Sequence, residues 1–73
     1  MLQEIIDIIC EFVETDPEEI TEASSLRNDI GASSFDLMNI AVEIEQRWNL
    51  RVPDEQLPLI KTVGDIVKLV ENR

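Results

Sequence analysis

Two adjacent serines, Ser33 and Ser34, stand between Gly31-Ala32 and a helical pattern that runs to Trp48. A hydroxyl in that place has two uses. As a cap, Ser33 or Ser34 accepts a hydrogen bond from an early helical N–H. As a point of attachment, a serine in the first turn lies at the positive end of the helix dipole, where an esterified phosphate gains about 0.3–1 kcal/mol. Ser34 is chemically suited to carry a phosphodiester. The chain has no histidine, and no base neighbours Ser34 to activate it, so any covalent change there must be made by another enzyme. The serine is a substrate in this reading, and the chain is not expected to be an enzyme. The missing histidines also remove the Ser-His-Asp and Cys-His constellations, and the single cysteine, Cys10, builds neither a disulfide nor a zinc site. Cys10 reads as an inert small hydrophobe in a reducing, cytosolic setting.

The elements that must position the serines follow from periodicity. Leu2, Ile5, Ile6, Ile9 and Val13 recur at steps of three and four opposite Glu4, Asp7, Glu11 and Glu14, which predicts an amphipathic first helix. It stops before Asp16-Pro17, where a short new helical piece begins and Ile20 anchors it. From Thr21 to Ser33 no period holds. The apolar Leu26 and Ile30 peg this stretch to the core, which makes it a long ordered loop rather than a slack one.

The second helix carries two apolar stripes. Leu37, Ile40, Ala41, Ile44 and Trp48 form one; Phe35, Met38 and Val42 form another beginning beside the serines. Either both are core or the second is a docking surface, and periodicity does not choose between them. Asn49 and Pro53 end this helix, Asp54-Glu55-Gln56-Leu57 makes a short turn-like element before Pro58, and Thr62-Val63-Gly64-Asp65 is a capping box for a last helix faced by Val63, Ile66, Val67 and Val70. The expected fold is all-α: a small four-helix bundle, three longer helices and one short, with the long ordered loop between the first two long helices.

At 73 residues the chain is one domain, residues 1–73. Six Lys plus Arg against sixteen Asp plus Glu give a net charge of −10, which argues against nucleic acid or an anionic membrane as partner and toward basic protein surfaces. A hydrophobic share of 44% is enough for a folded core. No apolar run approaches the roughly 18 residues that span a bilayer. Glu4 and Asp7 are unlike the basic start of a signal peptide, so Met1 is expected to open the mature domain. The charge is uneven: residues 1–26 hold eight acids and no base.

Taken together these residues resemble an acyl carrier protein along the whole chain. Gly31-Ala32-Ser33-Ser34-Phe35-Asp36 stands where that family has Gly-x-Asp-Ser-Leu-Asp; Val52-Pro53-Asp54-Glu55 and Lys61-Thr62-Val63-Gly64-Asp65-Ile66 match its Ile-Pro-Asp-Glu segment and the start of its last helix. The resemblance implies a 4′-phosphopantetheine arm moved from coenzyme A to Ser34 by a phosphopantetheinyl transferase. The arm's thiol then holds an acyl group as a thioester, and the bundle accepts part of the acyl chain between its helices. It further implies a cytoplasmic monomer serving fatty-acid or polyketide-type acyl transfer, docking on basic patches of acyl-processing enzymes through Phe35, Asp36, Met38, Val42, Glu43 and Glu45.

Two departures from the family pattern stand out. Ser33 replaces the Asp before the modified serine, which keeps an N-cap and removes a carboxylate that transferases commonly recognise. Asn39 and Arg47 replace acids on the second helix, shifting the weight of docking to the apolar stripe. The rivals are a stand-alone peptidyl or aminoacyl carrier and an acidic helical adaptor without the arm.

Overall fold

The helix that opens the chain, α1 (Leu2–Phe12), is buried on a wider face than its periodicity predicts. Ile5, Ile6 and Ile9 are buried as expected, and so is Ile8, which the three-and-four stepping leaves off the stripe. The reason is tertiary. α1 packs against both α2 (Ser34–Trp48) and α3 (Val63–Glu71), so it needs two adjoining apolar faces. Each such isoleucine contributes about 1.5–3 kcal/mol by leaving water.

The computed structural model describes residues 1–73, with no strand; two short 3-10 segments, Pro17–Glu19 and Asp54–Leu59, complete the three α-helices. The short fourth helix of the expected bundle is thus a 3-10 element. Pro58 lies inside it; its ring would clash with the carbonyl four residues back in an α-helix, which disfavours α winding there. The earlier segment starts as its sequence indicates: the Asp16 carboxylate accepts the Glu18 N–H, and Ile20 is buried just beyond.

The loop between α1 and α2 is ordered by burial and by backbone bonds. Leu26 is wholly buried and Ile30 nearly so. Ser25 and Thr62 form an isolated antiparallel bridge, flanked by Leu26 N–H to Lys61 O at 2.9 Å, Val63 N–H to Ser24 O at 3.1 Å and Gly64 N–H to Glu22 O at 2.8 Å. The loop is therefore laced to the head of α3. A Cβ at Gly64 would meet Glu22 O at 3.0 Å, so glycine allows that close approach. Gly31 serves another need: its φ of +84° is the left-handed turn that leads into α2.

Between α2 and α3 the contact is made by side chains and by the connection from Val52 to Ile60. Leu37, Ile40, Ala41 and Ile44 from α2 meet Val52, Leu57, Ile60, Ile66 and Leu69 around an apolar slot. Its free volume is about 10 Å³, roughly the room one water needs. The slot is closed in this state.

Candidate functional site

Ser33 and Ser34 do different things. Ser33 is the N-cap of α2: its Oγ accepts the Asp36 N–H at 3.1 Å, and the Asp36 carboxylate accepts the Ser33 N–H at 3.0 Å, closing a capping box. Of the two candidate caps, Ser33 is the one used. Ser34 is the first residue of the helix, exposed, and its hydroxyl takes no part in the cap. That hydroxyl accepts a hydrogen bond from the Arg27 guanidinium, brought to it by the turn between the pegs Leu26 and Ile30.

Arg27 does not emerge from periodicity or motif, which make residues 21–33 only a polar loop with two apolar pegs. A signal exists all the same. Arg27 is the first base in the chain, it comes after eight acids, and it adjoins an apolar peg. No pattern shows that the loop folds back far enough to reach residue 34.

The second apolar stripe is exposed. Phe35 is 71% exposed, Met38 56% and Val42 50%, while Ile40 and Ile44 on the first stripe are buried. Ser34, Met38 and Val42 succeed one another at four-residue steps, so an apolar track about 12 Å long leads away from the serine hydroxyl. Leu59, 71% exposed on the 3-10 segment, is a further bare apolar residue that periodicity does not single out.

The three acids expected beside this stripe each have an intramolecular partner. Asp36 closes the cap. Glu45 accepts the Val52 N–H at 2.7 Å, pinning the chain as it leaves α2 at Asn49, whose positive φ ends the helix. Glu43 lies 3.9 Å from Arg47 in an exposed pair, which contributes little to stability. Asp36 and Glu45 thus hold the local backbone in place as well as supplying charge to this side of the bundle.

Cys10 is half-buried, and burial pushes its thiol pKa up, with Asp7 and Asp16 adding to the effect. It stays protonated at neutral pH, and its Sγ–H points to Thr15 O at 3.8 Å. No group of His, Cys, Asp and Glu is arranged to hold a metal ion. No helix is long and apolar enough to cross a membrane. The open groove lined by Trp48, Arg51, Lys68 and Arg73 lies at the opposite end of α2 from Ser34.

The geometry fits a phosphate-linked arm: an exposed primary hydroxyl in the first turn of a helix, with a guanidinium already on its oxygen. Known proteins agree with that chemistry. Residues 3–70 match the family model described as Phosphopantetheine attachment site. The chain is 34% identical over 71 residues to the acyl carrier protein of Wolinella succinogenes, covering 97% of this chain and 93% of the relative. It is 37% identical over 71 residues to that of Amoebophilus asiaticus, covering 97% and 89%. Among solved structures, a putative acyl carrier protein from Mycobacterium tuberculosis superposes with a TM-score of 0.85 at 29% identity, over 99% of this chain and 97% of the other. The apo doublet acyl carrier protein from prodigiosin biosynthesis gives 0.83 at 25% identity over 99% of this chain, which spans 35% of that doublet. A helical bundle with an exposed helix-head serine, matched along almost its whole length, places the chain in the acyl carrier protein family, whose domains carry a covalent phosphopantetheine.

Proposed function

We propose that this carrier is loaded at Ser34 and serves acyl transfer of the fatty-acid or polyketide type. The observation that carries the site assignment is the division of labour at the head of α2: Ser33 is spent on the cap, and Ser34 Oγ is exposed. Loading joins Ser34 Oγ to the phosphorus that coenzyme A attaches to its pantetheine. The serine proton goes to a base of the transferase, and adenosine 3′,5′-bisphosphate leaves. The bound arm supplies a thiol for thioester chemistry. This chain contributes the rigid, capped helix that presents the hydroxyl, the exposed stripe of Phe35, Met38 and Val42, and the slot between α2 and α3.

The slot supports an acyl cargo over an aminoacyl one, because all nine of its lining residues are hydrophobic and nothing in it would satisfy an ammonium group. With about 10 Å³ free, it admits a chain only as α2, α3 and the 52–60 connection part. The stripe supports docking to acyl-processing enzymes and the transferase, with Asp36, Glu43 and Glu45 offering negative charge to basic patches. We place the protein in the cytoplasm as a monomer, a setting that suits its free Cys10.

The deciding experiment incubates the protein with coenzyme A and a phosphopantetheinyl transferase and reads intact mass. Wild type gains one arm; Ser34→Ala gains none, and Ser33→Ala still gains one. An arm that survives Ser34→Ala overturns the assignment. Met38→Asp should slow transfer to cognate enzymes while loading still occurs. Unchanged transfer to every such enzyme would remove the stripe from the docking surface.

A further inference from the structure

Arg27 stands on an anchored stretch of the loop backbone. The wholly buried Leu26 precedes it, and Leu26 is bonded on both sides: its N–H donates to Lys61 O, and its C=O accepts the Ala32 N–H at 2.8 Å. The next turn is closed by Ser25 and Asp29, whose carboxylate accepts the Ser25 N–H at 2.7 Å. From this anchored turn the guanidinium donates to Ser34 Oγ. It makes no ion pair within 4.0 Å; the pairs present are the amino terminus with Glu4 and Arg47 with Glu43. The acids nearest to the Arg27–Ser34 bond in sequence, Asp29 and Asp36, are engaged by backbone N–H groups. A neutral hydroxyl does not require a cationic donor, and no carboxylate lies within ion-pair distance of the Arg27 guanidinium, which leaves its fork open to an anion at Ser34.

Resting on the reading that Ser34 bears the arm, we infer that Arg27 is the clamp for the phosphate of that arm. It is a positioning residue: on loading it exchanges its bond to the serine oxygen for charge-assisted bonds to the non-bridging phosphate oxygens. Esterified Oγ shares its lone pairs with phosphorus and becomes a poor acceptor, while the negative charge appears on oxygens one bond further out. The planar fork of a guanidinium suits two of them better than the point charge of a lysine. The arm is thereby held at its root to the loop, and its distal end stays free to reach partner enzymes. Because the clamp is exposed, salt should loosen it.

The test uses isotope-labelled protein, loaded and unloaded, with loading confirmed by intact mass. In wild type the side-chain Nε–H resonance of Arg27 should move on loading, and that of Arg47 should not. The 31P resonance of the loaded protein should shift in Arg27→Gln, recover in part in Arg27→Lys and stay in place in Arg47→Gln. The wild-type to Arg27→Gln difference should shrink as salt rises. An arm present on Ser34 with the Arg27 resonance unmoved overturns the clamp and leaves the attachment standing. No arm on Ser34 overturns the attachment and the clamp with it. Should Arg27→Gln resist loading, the wild-type spectra decide alone.

Discussion

The heads of α2 and α3 are built on one plan and put to opposite uses. Each begins with a capping box, Ser33 with Asp36 and Thr62 with Asp65. After the cap the two diverge. The first residue of α3 is Val63, fully buried, and the next is Gly64, pressed on Glu22 O. The first residue of α2 is Ser34, exposed, and the next is Phe35, also exposed. One head is an anchor for the loop and the other is a platform. The capping chemistry is indifferent to that choice, which is made by the first two helical residues.

The contrast can be broken most decisively by substitutions just inside each helix. Ser34→Ala should abolish loading and leave stability within about 0.5 kcal/mol of wild type, because the exposed hydroxyl is no part of the cap. Intact mass and urea unfolding report the two halves of that statement. At the other head, Gly64→Ala should cost about 1–3 kcal/mol, since the added methyl forces Glu22 away and strains the strap between loop and α3. A Gly64→Ala protein as stable as wild type would mean that the loop is not held there.

The caps themselves should prove equivalent. Ser33→Ala and Thr62→Ala should each cost about 1 kcal/mol. The pH dependence sharpens this at α3. The Asp65 carboxylate accepts the Lys61 N–H and the Thr62 N–H, at 2.9 and 3.0 Å, which holds its pKa below the ordinary value. A carboxyl depressed by folding stabilises above its unfolded pKa, and that contribution is lost as pH falls through the folded one. Asp65→Asn should therefore destabilise at neutral pH, and its deficit should close as pH falls below the ordinary carboxylate range and through the lowered folded pKa, where the wild-type group loses its charge. A deficit constant across that range would show that geometry alone, and not charge, is at work.

Salt should give the smallest effect. Glu4, Asp7 and Glu11 lie at three- and four-residue spacings on α1, where like charges cost a few tenths of a kcal/mol per pair, so the melting temperature should rise modestly from low to moderate salt. The penalties for Ser33→Ala and Thr62→Ala should stay constant across the same range, because local hydrogen bonds hold both heads.

Much of this contrast is readable along the chain, and the unreadable part has a physical cause. Thr62-x-x-Asp65 announces its capping box because the partners are three residues apart. The exposed stripe is visible as a stripe, yet Phe35, Met38 and Val42 have the same helical spacing whether water or protein lies beyond them. Ile8 escapes the pattern for the converse reason: α1 touches two helices, and a single-face period describes only one contact. The pegs Leu26 and Ile30 are legible as apolar residues in a polar stretch. Arg27 at Ser34 and Gly64 at Glu22 are not, since both meetings depend on how the loop folds back across the bundle.

The bridge between Ser25 and Thr62 also bears on where Arg27 stands. It ties the loop to the head of α3, and the bond from Ala32 N–H to Leu26 O ties the same stretch to the approach to α2, so the turn that bears Arg27 is held toward both helices. The apolar slot lies along the seam between α2 and α3. The Arg27–Ser34 hydrogen bond thus runs from a turn tied to α3 to the first residue of α2, and a separation of those two helices along the seam would load it.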